Sequence, residues 1–524
     1  MPTNVNKISS NVTGLRIAEE ASIKVLPVTP VWDPYEPNSY SDFGGNLTLL
    51  ARNPITAGRQ RKKGVITDLD SAGGFQTDIT QTNLQKLLQG FFFASLREKV
   101  NSSAVAITSV DATAGNHFNA ASGLSSFQVG ARVRTTGFSN PANNGIFTVT
   151  AKTATVLTVS ETVVAEASPP AAARITTIGV VVAPAAIDVV VSGTWPTLTS
   201  GSFDFLSLGV VPGEWVYIGG DAAGTKFVGA TSGVLVNNGF KRVKSVTTGV
   251  LTFDKSDYDM VAETGTGIGL HIYVPARILK NENGSESSYP IVRRTYQMER
   301  LLGAPDTGSP SSIQSEYIVG AVPNQFTMNV SPADKITCDL SYMAMDFEQR
   351  TAATGVKTGT RPALVDADAF NTSTDFSRIK LSLITSGEEA PTRLFAFVTD
   401  LKVTIDNGVS LDKAVGVLGG FDASEGDFSV GGSLTAYFAD VTAVSAVRNN
   451  SDVTLDFVVV KNNAGIVVDL PLIALGDGRL SIEKDKSITL PLTLAAASAA
   501  KIDSATDYTA MMCFFDYLPS AADV

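Results

Sequence analysis

"SEYIVGAVPNQFTMNVSPADKITCDLSYMAMDF", Ser315 to Phe347, carries the pattern that decides the fold. Ile336, Cys338, Leu340 and Tyr342 alternate with Thr337, Asp339 and Ser341. Side chains of a strand point alternately to opposite faces, so this spacing predicts a half-buried β-strand. "SPAD", before it, has the Pro and Asp of a turn. The texture returns in "SSYPIVRRTYQMERL", "RLFAFVTDLKVTIDNGV", "EGDFSVGGSLTAYFAD", "DVTLDFVVVKNNAGIVVDLPLIAL" and "KDKSITLPLTLAAA", as runs of five to nine residues separated by Gly, Asn and Pro. No helices of βαβ type intervene, and the expectation is an antiparallel sandwich or open barrel.

The totals agree. The chain has 524 residues, 44% of them hydrophobic and only 17% charged, with 45 Gly, which favours strands and turns over helices. That length allows roughly two to four domains. A net charge of −11 opposes a protein that grips phosphates over a broad basic surface. Cys338 and Cys513 are the only cysteines and form no CxxC, so neither a zinc site nor a disulfide framework is expected. The start lacks the pattern of a secretory signal, and the longest apolar stretch, "IGVVVAPAAIDVVV", is broken by Pro184 and Asp188. These features point to a soluble protein made or assembled in a reducing cytoplasm.

Outside the long strands, one helix stands out. In "TDITQTNLQKLLQGFFFASLREK", Leu84, Leu87, Leu88, Phe91 and Phe92 fall at helical spacing, with Thr77, Asp78 or Thr80 as caps. The first hundred residues otherwise read as irregular, and Leu26 to Pro37 as an extended Pro-rich arm. Between Val100 and Asn281 the texture changes to Ala, Thr, Val and Gly, and one plan occurs twice. "NNGIFTVTAKTATVLTVS" from Asn143 is matched by "NNGFKRVKSVTTGVLTFD" from Asn237. Asn-Gly favours tight turns, so each NNG is expected to mark a hairpin. The domains read as a discontinuous core, 1–99 with 282–524, interrupted by inserted β domains at 100–180 and 181–281, Ig-like or OB-like in kind.

Catalytic chemistry finds little footing. His117 and His271 lie in the insertion without a GxSxG elbow. "GTGIGLH", Gly265 to His271, runs into "IYVP" and not into a helix, so it lacks the N-terminus of a phosphate loop. Glu425 and Asp427 in "EGDFS", and Asp366 to Asp375, have no EF-hand spacing and read as polar loops. No enzyme activity, cofactor or metal is expected. Basic residues cluster in "GRQRKKG" as Arg59, Arg61, Lys62 and Lys63, with Arg52 before them and Arg293 and Arg294 in a later strand. They are candidates for contact with an acidic surface, such as a neighbouring copy of this acidic chain.

The segment Phe397 to Asp440, "FVTDLKVTIDNGVSLDKAVGVLGGFDASEGDFSVGGSLTAYFAD", resembles bacteriophage tail tube proteins of the siphophage type. So do the paired strands around "VPNQF" and the opening from Ile17 to Ala94, and the likeness extends to about Tyr517; the insertion departs from that family's compact form. The resemblance implies a mainly β fold, a tail-tube β-sandwich or barrel with one flanking α-helix, here with two small inserted β domains. It implies hexameric rings stacked into a hollow tube that conducts the tape measure protein and then dsDNA, with tail terminator and tail tip proteins as further partners, in a virion tail assembled in the host cytoplasm. No membrane is involved. A lumen sized for a duplex has no room for the insertion, which is therefore expected outside a non-contractile tube, where it could touch the host surface weakly. A capsid decoration protein or adhesin is the alternative, and a carbohydrate-active enzyme a third class.

Overall fold

A computed structural model describes residues 7–523 apart from 11–12, 56, 59, 114, 183–186, 192–194, 202, 230–235, 255–259, 266, 306–312, 352–354, 385–391, 396 and 502–505. The chain is mainly β, as its alternation predicts. It divides into two units: one takes Met1–Ser95, Asn281–Thr372 and Thr399–Leu434, the other Leu96–Lys280, Ser373–Val398 and Thr435–Val524.

β1 (Gly14–Glu19) pairs antiparallel with β2 (Asp33–Tyr35). The stretch read as a free arm is instead packed into the first unit. Trp32 is fully buried, meets Tyr317 edge-on at 5.7 Å, and donates its indole N–H to the Thr358 carbonyl at 3.0 Å. A large aromatic body with a satisfied polar tip outweighs the local preference of prolines for extended, solvated chain. β3 (Pro37–Arg52) and β4 (Lys62–Asp78) form a long hairpin where the sequence reads as irregular. Its register shifts at four places, which scrambles the period of two that betrays a strand. The expected helix is α1 (Gln85–Phe91), and Leu84, Leu87, Leu88, Phe91 and Phe92 are all buried. Of the candidate caps only Thr80 acts at its approach: the Thr80 N–H donates to Asn83 Oδ1 at 3.1 Å and the Asn83 N–H to Thr80 Oγ1 at 3.3 Å. Thr77 and Asp78 belong to β4.

After β5 (Arg97–Glu98) the chain enters the duplicated region. Its first part holds β6 (Ile107–Asp111), β7 (His117–Ala120), β8 (Ala131–Thr136), β9 (Gly145–Lys152), β10 (Val156–Val159) and β11 (Arg174–Val182). Its second holds β12 (Ile187–Val191), β13 (Pro196–Ser200), β14 (Trp215–Ile218), β15 (Gly239–Thr247), β16 (Val250–Phe253), β17 (Glu263–Thr264) and β18 (Leu270–Tyr273). The pairing β6-β7-β10-β9-β8-β11 recurs as β12-β13-β16-β15-β14-β18, β17 adds to β12, and β11 joins β18. Each repeat has its own core, around Phe118, Phe127 and Phe147 in one and Phe205, Phe227 and Val243 in the other.

Neither NNG is a hairpin turn. Asn143 is fully buried, exchanges two 2.8 Å hydrogen bonds with the backbone of Val164, and donates to Glu166 Oε2 at 3.0 Å. Asn237 makes the same bonds to Val261, at 2.8 Å each, and to Glu263 Oε2 at 2.8 Å. Asn144 and Asn238 likewise bridge the backbone N–H and C=O of Phe138 and Phe227. A side-chain amide offers both donor and acceptor, so it saturates loop backbone that has no strand partner. What repeats is this brace, and the turn preference of Asn-Gly is overridden by it.

β19 (Arg277–Lys280) leaves the insertion and is followed by β20 (Tyr296–Gly303), β21 (Gln314–Val330) and β22 (Thr337–Thr351). These last two, at 17 and 15 residues, exceed the five to nine expected. Then come β23 (Phe376–Leu383), β24 (Thr392–Arg393), β25 (Val398–Asp406), the small hairpin β26 (Ser410–Asp412) with β27 (Asp422–Ser424), and β28 (Ser429–Tyr437). α2 (Thr442–Arg448), β29 (Val453–Lys461), β30 (Ala464–Asp477), β31 (Thr489–Ala496) and β32 (Met511–Phe515) finish the order. Besides the single helix expected, α2 is a second one; it buries Ala443 and Ala446, and the apolar residues at helical spacing, Val441, Val444 and Val447, are β-branched and so favour strands. In the first unit the strands pair as β1-β20-β21-β22-β4-β3, with β25 on β21 beside β20. In the second, β24-β23-β29-β30 is continued by β31 and β32 along the other side of β30, and β19 joins β32 to β5.

Asn143→Ala and Asn237→Ala should each cost about 1–3 kcal/mol, since each strands buried backbone groups without partners; denaturant unfolding of the two variants measures it.

Candidate assembly surface

The β3–β4 hairpin turns apolar side chains to solvent. Leu49 and Ile66 face each other across the pair and are 68% and 53% exposed, with Leu47, Leu50 and Val65 exposed beside them. A cluster of this kind on a long hairpin is an adhesive feature. Arg61, Lys62 and Lys63 are exposed on the same hairpin, where Lys62 pairs across to Arg52. Arg59 lies outside the described residues.

Arg293 and Arg294 are placed differently. Arg293 meets Asp422 at 2.9 Å, Glu425 at 3.4 Å and the Ala423 carbonyl. Arg294 meets Glu19 at 3.3 Å, the Ala94 carbonyl at 2.8 Å and Ser95 Oγ at 2.9 Å. Both arginines tie segments of the first unit together, and the cations grouped by sequence do not act as one patch. Glu425, read as loop, is thereby a partner of Arg293.

The second inserted repeat is not a free-standing appendage. Trp215, Tyr217, Phe240 and Tyr273 share one core with Val458, Val467, Tyr508, Cys513 and Phe515. Inside it, Arg242 reaches Asp254 at 2.5 Å and both oxygens of Asp469 at 3.0 and 3.2 Å, and the Tyr508 hydroxyl donates to Asp469 at 2.7 Å. Burial alone would lower the Arg242 pKa, but Asp254 and Asp469 outweigh it and raise it well above its usual value. Lys99 and Glu214 form a second buried pair at 2.7 Å. An ion pair out of water holds only where its polar atoms are answered, and Arg242, met by both Asp254 and Asp469, fixes the docking geometry of the repeat on the C-terminal strands, whereas Glu214 keeps Oε1 buried without a hydrogen bond. The first repeat has no part in that core, and its ends meet: the Ser102 N–H donates to the Ile175 carbonyl and the Ile175 N–H to Ser102 Oγ, both at 2.8 Å.

The remaining candidates lie apart from one another in the chain's strands and loops. His117 sits on β7 and His271 on β18, the strand into which the glycine-rich stretch leads. Cys338 and Cys513 are buried free thiols in separate strands. Asp375 pairs with Lys461 at 3.2 Å. Among the described residues no group of three or more His, Cys, Asp or Glu could hold a metal ion, and no helix is long and apolar enough to cross a membrane.

The family described as "Phage tail tube protein" matches the chain over residues 10–205 and 199–496. No curated protein matches it.

His271 provides a pH handle on the insertion. Burial, helped by Arg132 and opposed by Asp221, pushes its pKa down to about 4 from 6.5. The unfolded chain then takes up a proton that the folded chain refuses, so stability is complete above pH 6.5, falls between 6.5 and about 4, and levels off below. Thermal melts of His271→Gln should show a shallower loss over that window than the parent.

Proposed function

Because the chain belongs to the phage tail tube protein family, we propose that it polymerises as stacked rings into the hollow tail tube that conducts the tape measure protein and then dsDNA during ejection. It is a structural component of the virion tail. The observation that carries the polymerisation is the long β3–β4 hairpin, which pairs with β22 through β4 and holds exposed apolar residues on strands far longer than a monomer's stability needs. Rings built from such strands hide edges that would otherwise aggregate. An acidic wall repels DNA, so the duplex slides through without sticking.

The resemblance implies hexameric rings, and the wall is taken as one of six units. Arg61, Lys62 and Lys63 of the hairpin, with Arg59, contact an acidic neighbouring copy. The insertion lies outside a non-contractile, siphophage-type tube, a reading that its bulk supports, free for weak contact with the host surface. Terminator and tip proteins cap the two ends, and assembly takes place in the host cytoplasm.

Two experiments decide this. Purified protein should form tubes or rings in negative-stain micrographs, whereas Leu49→Lys with Ile66→Lys should abolish them and leave folding stability within about 0.5 kcal/mol, because the changed side chains are exposed. Single particles of one chain at high concentration would sink the proposal. Replacing residues 103–173 by a short Gly-Ser linker between the adjoining Ser102 and Ile175 should preserve the tubes; removing 100–281 should not, since it strips the core that Trp215 and Phe240 share with the C-terminal strands.

A further inference from the structure

The two halves of the non-inserted chain follow one plan. β1, β2, β3, β4, α1, β20, β21 and β22 occur in that order, as do β23, β24, β25, β28, α2, β29, β30 and β31. Their pairings correspond. β1–β2 matches β23–β24, β1–β20 matches β23–β29, β20–β21 matches β29–β30, and β21–β22 matches β30–β31. The insertion occupies the link between α1 and β20, which in the second copy is the short step from α2 to β29.

Single residues mark the same equivalence. Gly74 of β4 lies so close to β3 that a Cβ there would come within 2.2 Å of the Ser41 carbonyl oxygen; Gly432 of β28 lies equally close to β25, 1.9 Å from the Lys402 oxygen. Each is the second of a Gly-Gly pair, Gly73-Gly74 and Gly431-Gly432. The ladders β20–β21 and β29–β30 carry the same bulge, Tyr296 opposite Ala321 then Met298 opposite Ile318 in one, Val453 opposite Ile473 then Leu455 opposite Leu470 in the other, and Ala321 and Ile473 pair on their other sides with Ala344 and Ala496. Glycine where a neighbouring backbone crowds in, and a bulge at one fixed place in a ladder, are what a shared geometry retains when the rest diverges.

Within the chain the two copies are joined by β25 lying antiparallel on the end of β21, Asn329 opposite Lys402. The corresponding place in the second copy is open. β29 pairs β30 only as far as Ile473, so from Ala474 to Ser481 the side away from β31 has no paired strand among the described residues. The counterpart of β25 is β3, which pairs with β4 along one edge and has no strand on its outer edge among the described residues. One unfilled socket and one unfilled strand remain, and they are the two parts of the junction already made once.

We infer that one chain supplies two tandem copies of the tube-wall repeat, that β3 of a second copy of this chain pairs with the end of β30, and that three chains therefore close a ring of six repeats. Matching Ala321 to Ile473 places Asn329 on Ser481, and the pair Asn329–Thr337 recurs as Ser481–Thr489; matching Gly74 to Gly432 places Lys402 on Ser41. The new junction thus sets Ser481 opposite the neighbour's Ser41. Size agrees with the count. Each repeat offers four successive strands, β20, β21, β22 and β4 in the first copy. Six repeats make about 24 strands, which at ~4.8 Å spacing and ~40° tilt close a wall roughly 50 Å across, or roughly 40 Å inside the side chains. Three repeats would close at roughly 25 Å, too narrow for a duplex roughly 20 Å wide once side chains are in place, and twelve would open to roughly 95 Å.

The inference rests on the tube reading above, and cryo-electron microscopy of unmodified tubes separates the two. The expected ring has three chains and threefold symmetry. Six chains in a sixfold ring would overturn the inference and leave the tube reading standing, whereas the absence of any ring or tube would end both. As a second measurement, oxidised tubes of Ser41→Cys, Ser481→Cys protein should give a denaturing-gel ladder that stops at three chains. A ladder running to six, or intact tubes with no cross-link, would also overturn it.

Discussion

A strand presents hydrogen-bonding groups along both edges, and any edge left unpaired must stay wet or find another strand. That constraint organises this molecule. β21 satisfies it by having β22 along one edge and β20 followed by β25 along the other. β30 begins the same arrangement with β29 and stops short. The two inserted repeats meet it differently, each ending in a strand, β11 or β18, that pairs with its counterpart, so duplication leaves the shared edge filled. The sheet of the two repeats still ends at β6 and β17, while the pairing of the first unit ends at β3 among the described residues.

Buried charge sets the second condition. Arg242, Asp469 and Tyr508 lie in one core, where breaking a pair strands a charge out of water. The penalty is directional. It holds the second inserted repeat against the C-terminal strands and places no demand on the first, whose Asn143 and Glu166 close a brace internal to itself.

Legibility in the sequence followed how local each cause is. α1 was readable because Leu84, Leu88 and Phe91 declare a face within a single turn's spacing, and the β22 region because Ile336 to Tyr342 keep a strict alternation. α2 was not, since Ala443 and Ala446 bury too little to stand out. β3 was hidden by its bulges and by a surface that is exposed in the single chain. Trp32 and Asn143 owe their places to partners far along the chain or across a loop, so proline content and Asn-Gly turn preference gave the wrong reading for both. Among the site candidates, Arg293 and Arg294 could be grouped with the hairpin cations by charge alone; the carboxylates that claim them, Glu19, Asp422 and Glu425, are brought near only by the fold.

The tryptophans divide the molecule in a way that light can follow. Trp32 lies in the core of the first unit against Tyr317, while Trp215 lies in the core of the second with the guanidinium of Arg378 4.9 Å from its ring centre. Trp195 has the Lys244 ammonium 4.6 Å from its ring centre, within the second inserted repeat. With just three indoles in 524 residues, each in a different setting, emission spectra of single-tryptophan proteins would resolve the order in which the first unit, the docked repeat and the repeat's own surface come apart.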